Sequence, residues 1–312
     1  MITLREALQE YVMLRRSLGF KFRDDARSLG RFVAFMEERR ELHITVRLVL
    51  DWIQQGHVQP AERARRLCFV RGFARHLSAI DPLTEVPSHE LYPFRSTRAR
   101  PYLFTEQEVQ DLLAAALRLP TTWPSTPLRP WVFHCLFGLL SVTGLRISEA
   151  LDLKIKDVDL DENILTIRGA KLGRSRLVPL HRSTRTVLAD YLRRRKQFLG
   201  SRPSDFVFVS NRGTRLDVAR VHRAFYTLSR QTGLRAVGAR TGPRLHDFRH
   251  RFAVQVLTRW YEAGEDPARR LPLLSTYLGH VCVAGTYWYL SNAPELMAQA
   301  MARLERRWGE LS

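Results

Sequence analysis

Residues 81–104, DPLTEVPSHELYPFRSTRARPYLF, carry four prolines and no helical period. Proline lacks an amide hydrogen and clashes with the preceding helical turn, so such a stretch cannot continue a helix or a central strand. It divides the 312-residue chain into two pieces, each of which must bury a core of its own. We therefore expect a domain over 1–80, a linker over 81–104 and a second domain over 105–312.

The first piece reads as helix throughout. LREALQEYVMLRRSLG, ARSLGRFVAFMEERR, ITVRLVLDWIQQG and PAERARRLCFVRGFARHLSAI each repeat apolar residues at spacings of three and four. Pro60 opens the last of these, where proline is tolerated best. In the second piece TEQE is a capping box, with Thr105 capping and Glu108 at the third helical position. A buried helix, WVFHCLFGLLSVTG, and a shorter one from ISEALDL follow. ENILTIR and RSRLVPL alternate as strands around a GAKLG turn. DFVFVS is a further short strand candidate between helices at 184–199 and 217–232. LHDFRHRFAVQVLTRWYEAG, LPLLSTYLGH, the stretch around TYWYL and APELMAQAMARLERRW complete a helical end. The expected class is mainly α with a small antiparallel β-sheet (α+β).

Charge narrows the partner. The formal net charge is +19 and the pI about 10.8, which says nothing about fold but favours a polyanion such as DNA. The basic residues are lopsided, 45 Arg against 5 Lys. Guanidinium grips phosphate with a fixed fork, whereas an ammonium gives up a proton more readily. Each lysine is thus a candidate for proton transfer. On the last helix of the first domain Arg63, Arg65, Arg66, Arg71 and Arg75 cluster, a face suited to phosphates. Arg98 and Arg100 in the linker could track the same backbone, as could Arg174 and Arg176 by the hairpin. Cys68, Cys135 and Cys282 are scattered, giving neither a disulfide framework nor a zinc spacing. The charged N-terminus lacks a signal-peptide core, and no apolar run reaches a membrane span. A soluble, cytoplasmic protein is expected.

Six residues then occur in an order that matters: Arg146, Lys171, His246, Arg249, His280 and Tyr289. Breaking a phosphodiester needs fixed positive charge on its oxygens, a proton donor for the leaving oxygen and a nucleophile. Two guanidiniums, an ammonium, two imidazoles and a phenol supply all three without a metal or other cofactor. His246 and Arg249 share a helix face, yet about one His-x-x-Arg pair is expected by chance in a chain this rich in arginine. The weight rests on context. VTGLRISEALDL puts Arg146 at a helix start, where backbone N–H groups also favour an anion. IRGAKLGRSRLVPL puts Lys171 at a hairpin tip. LHDFRHRFA puts His246 and Arg249 in a first helical turn, and YLGH precedes Tyr289 by nine residues.

These phrases resemble the tyrosine recombinases of the phage integrase and Xer-like family, over roughly 105–295. TYWYLS is more similar to transposon-borne members. The resemblance implies a helical core-binding domain before a catalytic domain, the two clamping duplex DNA. It implies that Tyr289 attacks the scissile phosphate to give a 3′-phosphotyrosyl, while Arg146 and Arg249 grip the nonbridging oxygens. His280 would add a hydrogen bond, Lys171 would protonate the 5′ oxygen, and His246 would help remove the phenol's proton. Glu149 matches the acidic residue that orients its neighbours. Four protomers on two DNA sites, a Holliday junction and a C-terminal helix docked on a neighbour are implied too, and helper recombinases are compatible with this.

Alternatives stand beside that reading. Tyr287 competes with Tyr289, but two residues on a helix differ by about 200°, so one alone should face the phosphate. The family spacing selects Tyr289 and leaves Tyr287 and Trp288 to pack. His246 and His250 have the spacing of a helical metal pair, but a zinc-protease helix needs Glu where Asp247 stands, and no third ligand is evident. RWYEAGEDPARRLP, longer than many members carry there, suggests an enlarged loop or a subunit contact. A type IB topoisomerase would share the chemistry. A DNA-binding regulator without activity would share the charge.

Overall fold

The computed structural model describes residues 2–92, 100–121, 127–168, 175–239, 241–280 and 282–292, with 301 and 305. The chain divides into two compact units, Met1–Ala99 and Arg100–Ser312.

The first unit is four helices: α1 (Leu4–Ser17), α2 (Arg23–Glu38), α3 (Val46–Gln54) and α4 (Pro60–Leu77). Thr3 and Glu6 close a capping box on α1, and Thr45 caps α3. Phe32, Met36, Val49, Ile53, Val70 and Phe73 are fully buried where the apolar faces meet. Each such side chain contributes about 1.5–3 kcal/mol over an exposed one.

Much of the expected linker is not free. Glu85 N–H donates to the Ile44 carbonyl, and Asp81 pairs with His43 at 2.9 Å. Arg71, expected on the polar face of α4, is buried instead. Its guanidinium donates to the carbonyls of Pro87 and Ser88, both at 2.8 Å. These contacts tie residues 81–92 to the first unit. Tyr102 and Phe104 pack into the core of the second.

The second unit is built around α6 (Arg129–Thr143), which is apolar on nearly every face and packs against α5 (Glu106–Leu117), α8 (Arg182–Leu199) and α10 (Asp247–Glu262). The Thr105–Glu108 capping box opens α5 as its sequence requires. After α7 (Ile147–Asp152), strands β1 (Val158–Asp159), β2 (Ile164–Ile167) and β3 (Arg176–Pro179) form an antiparallel sheet in that order. Ile167 lies opposite Arg176. Leu165, Ile167 and Val178 point into the core. DFVFVS does not form a strand of a sheet; Phe206 and Val209 make isolated bridges, and Val207, Phe208 and Val209 are buried. After α9 (Val218–Gln231), α10 leads to α11 (Pro267–Leu278) and α12 (Ala284–Asn292).

RWYEAGEDPARRLP is not an enlarged loop. Helix α10 runs to Glu262 and α11 begins at Pro267, capped by Asp266, so the extra residues lengthen helices. Among the described residues, no helix is long and apolar enough to cross a membrane.

Candidate active site

Two helix C-termini and two helix N-termini converge in the second unit. Helix α6 ends at Gly144 and α11 at Gly279, both in the left-handed region, with φ of +60° and +65°. Glycine is needed at each for a second reason. A Cβ on Gly144 would lie 2.7 Å from the Phe252 ring, and one on Gly279 would lie 2.9 Å from Arg176 Nη1. The last carbonyls of a helix lack intrahelical donors and carry the negative end of its dipole. Arginines fill that need here. Arg249 donates to the Gly144 carbonyl at 2.9 Å and the Leu278 carbonyl at 2.5 Å. Arg146 donates to the Gly279 carbonyl at 2.9 Å.

The starts of α7 and α10 supply these arginines. Arg146 is the N-cap of α7, anchored by buried Leu145, Ala150 and Leu151. His246 and Arg249 flank Phe248, whose ring stacks on Phe104 at 4.8 Å within the main core. That aromatic fixes the first turn of α10 and with it both polar neighbours.

Glu149 sits beneath Arg146. It accepts the Arg146 backbone N–H at 2.9 Å and Arg146 Nη1 at 2.8 Å. It also accepts Arg176 Nη1 and Nη2 at 3.1 and 2.8 Å. Burial pushes the Glu149 carboxyl up, but the Arg176 and Arg146 contacts outweigh it and bring the pKa down to about 2. It is a carboxylate at any working pH.

Tyr289 is 2% exposed, whereas Tyr287, expected to pack, is 53% exposed. The Tyr289 hydroxyl hydrogen-bonds Arg249. Its ring lies parallel to the His280 ring, centroids 6.2 Å apart, and edge-on to His250 at 5.4 Å. His280 Nδ1 lies 2.8 Å from the Thr286 hydroxyl, one turn before Tyr289 on α12. The His246 and His250 rings pack edge to face at 4.6 Å.

Positive charge is in surplus. Burial, then the Arg146 charge, push Arg249 down to about 10, against the pull of Tyr289 and Glu149. It remains a cation at neutral pH. His246 is exposed as a residue, yet desolvation of its ring, then Arg249, push its pKa down to about 4. The direction follows from the charges as well, since Arg249, Arg146 and Arg244 outnumber Asp247. His246 is neutral at pH 7 and able to accept a proton.

Five of the six residues in the ordered set therefore meet, together with Glu149. Lys171, Arg174 and Arg98 lie outside the described residues. Arg176 is corrected: its guanidinium is turned inward on Glu149, and its side chain is 10% exposed, so it does not offer itself to DNA. In the first unit Arg66 lies over the Trp52 ring at 5.3 Å and donates to the Gln55 carbonyl. Arg63 is half-buried and Arg100 exposed. The sequence reading missed Arg176 as a site member, and with it Thr286, Gly279 and the Tyr277 carbonyl, which accepts from Arg176 Nε at 2.6 Å. Of these only Thr286 left a local signal, three residues before Tyr289. Among the described residues, no group of three or more His, Cys, Asp or Glu stands close enough to hold a metal ion.

Residues 103–295 match the sequence model of the Phage integrase family. The chain is 55% identical over 310 residues to a Sinorhizobium fredii protein that carries the name integrase/recombinase y4rB, covering 99% of each. It is 32% identical over 244 residues to the tyrosine recombinase XerD of Caulobacter vibrioides, covering 77% of this chain and 74% of that one. Among solved structures it is similar to the Tn1549 transposon integrase in complex with a circular intermediate DNA. The TM-score is 0.65 at 16% identity, over 98% of this chain and 99% of that one. A lambda integrase dimer bound to a core site gives 0.58 at 20% identity, over 90% and 96%. The last two likenesses concern the fold.

Proposed function

This chain belongs to the phage integrase family of tyrosine recombinases, DNA breaking-rejoining enzymes of site-specific recombination, and from that premise we propose that it cleaves through a 3′-phosphotyrosyl at Tyr289. The carrying observation is the Tyr289 hydroxyl hydrogen-bonded to Arg249 in a cluster with more cations than anions. Such a cluster favours a bound anion and the phenolate alike.

Arg146 and Arg249 hold the nonbridging oxygens of the scissile phosphate with bidentate forks. The Tyr289 Oη–P bond forms as the P–O5′ bond breaks. The phenol's proton passes to neutral His246, and Lys171 gives a proton to the departing 5′ oxygen. A Thr286 hydroxyl donating to His280 Nδ1 leaves the proton on Nε2, the donor a phosphate oxygen needs. Glu149 orients Arg146. Attack of a partner strand's 5′ hydroxyl reverses the step and rejoins the DNA.

Four protomers on two duplex sites, passing through a Holliday junction, complete the reading, with APELMAQAMARLERRW docking on a neighbour and helper recombinases compatible. Residues 1–80 act as the core-binding domain and 105–312 as the catalytic domain. Arg63, Arg66, Arg98, Arg100 and Arg174 are the proposed phosphate contacts.

A library of nicked suicide duplexes of randomised sequence tests this. Wild type should yield an SDS-resistant protein–DNA adduct that Tyr289→Phe cannot form. No adduct, or one that survives that substitution, overturns the mechanism. Lys171→Ala should recover its rate on a 5′-thiol leaving group, which departs without a proton, and equal slowing on both substrates removes Lys171 from the role. With trapped sequences in hand, recombinant junctions distinguish a recombinase from relaxed circles made by a topoisomerase.

A further inference from the structure

Arg176 has no part in the scheme above, yet it is the most constrained arginine beside the site. It stands on β3, directly after the segment that carries Lys171, paired with Ile167 of β2. Its two terminal nitrogens both reach Glu149, at 3.1 and 2.8 Å. Its Nε donates to the Tyr277 carbonyl near the end of α11, three residues before His280. Gly279 leaves the space through which its guanidinium passes. One side chain thus joins the hairpin, the helix under Arg146 and the helix before His280. At 10% side-chain exposure it is spent on these contacts.

Glu149 poses an electrostatic problem that this arrangement solves. A carboxylate at 2.8 Å holds the Arg146 guanidinium in place, but a lone carboxylate–guanidinium pair has no net charge. It would compete with the phosphate that Arg146 must bind. Two guanidiniums on one carboxylate leave a net positive charge. We propose that Arg176 is a positioning residue for strand cleavage: it takes up the charge of Glu149, so that Glu149 can fix Arg146 without cancelling its attraction for the scissile phosphate. This rests on Arg146 being a phosphate ligand, as proposed above.

The test uses the full chain and a nicked duplex recovered from the suicide library. It reads the single-turnover rate of adduct formation at saturating DNA, alongside noncovalent DNA affinity. Arg176→Met should slow cleavage by about 10–100-fold, the range typical of groups that orient a reactive-site ligand, with affinity for the duplex unchanged. Arg176→Lys keeps the charge and should stay close to wild type. The decisive variant is the double substitution Arg176→Met with Glu149→Gln. Removing the uncompensated carboxylate should restore much of the rate lost in Arg176→Met alone. The double variant also leaves no buried charge unpaired, so it stays informative if Arg176→Met folds poorly. A purely structural role would make Arg176→Lys as slow as Arg176→Met and the double variant slower still. Either result, or wild-type cleavage by Arg176→Met, overturns the proposal while the Tyr289 adduct of wild type stands. Absence of the wild-type adduct instead overturns the reading beneath it.

Discussion

Arg71 of the first unit and Arg249 of the other are alike by every local measure. Both are buried, at 8% and 2% exposure, and both give their N–H groups to backbone carbonyls. Their surroundings differ. Arg71 reaches the carbonyls of residues 87 and 88 and ends beside His89, stapling a proline-rich segment to its helix. Arg249 stands next to Arg146 and a tyrosine hydroxyl, and the two guanidinium charges work against each other. Burying a cation on carbonyls is a way to hold a fold together. Crowding cations round a phenol weakens a fold, and an anion that enters later explains it. Burial therefore does not single out a catalytic arginine, whereas like charge beside it does.

The largest effect expected from this contrast comes from swapping each arginine for glutamine. Arg249→Gln should lower single-turnover cleavage by about 10²–10³-fold, as loss of a charge-stabilising donor does. Arg71→Gln should leave the rate at saturating DNA unchanged and destabilise the first unit by about 1–3 kcal/mol. Cleavage kinetics and denaturant titration on both variants decide it. Equal loss of cleavage in the two would remove the distinction.

The same contrast explains what could be read from sequence. Helices announced themselves through apolar periods and caps: Thr105 with Glu108 opens α5 as the four residues TEQE require. Tyr289 was legible against Tyr287 because residues two apart on a helix face different ways, and one is buried while the other is exposed. Arg71 and Arg176 were not legible. Their partners lie 16 to 101 residues away, and among 45 arginines no local pattern marks the ones that turn inward. Glu149 was legible as a helix-start acid three residues after Arg146, but its second guanidinium was hidden for the same reason. The 81–92 segment read as linker because its proline content forbids helix, which says nothing about whether its backbone finds partners elsewhere.

A smaller effect separates glycines in the two units. Gly56 and Gly279 both have positive φ, +75° and +65°, but a Cβ on Gly56 meets nothing within 4 Å, while one on Gly279 meets Arg176 Nη1. Alanine at either position should cost about 1–2 kcal/mol for the left-handed backbone. Only Gly279→Ala should also slow cleavage, because it displaces Arg176 and the carbonyl that holds Arg146. Stability and adduct formation measured on both variants test the point, and a Gly279→Ala protein that cleaves like Gly56→Ala would show that the close approach does not matter.

The smallest effect is a difference in acid sensitivity. In the second unit His246 is held from 6.5 down to about 4. Its folded form binds fewer protons than the unfolded chain between those values, so the stability it contributes is present above 6.5 and is lost as pH falls towards 4. Glu149, lowered from 4.5 to about 2, adds a loss in the same direction below 4.5. In the first unit burial raises Asp81, but its bonds from Thr84 and His43 outweigh that and lower it from 3.8, so its contribution fades only at still lower pH. Hydrogen exchange followed from pH 7 to pH 4.5 should therefore show protection falling in α10 before α2 and α4. The imidazole of His246 should stay neutral across that range by NMR. Titration of His246 near 6.5 in the DNA-free protein would mean that the arginines do not act on it, and the contrast between a stapling arginine and a crowded one would lose its electrostatic basis.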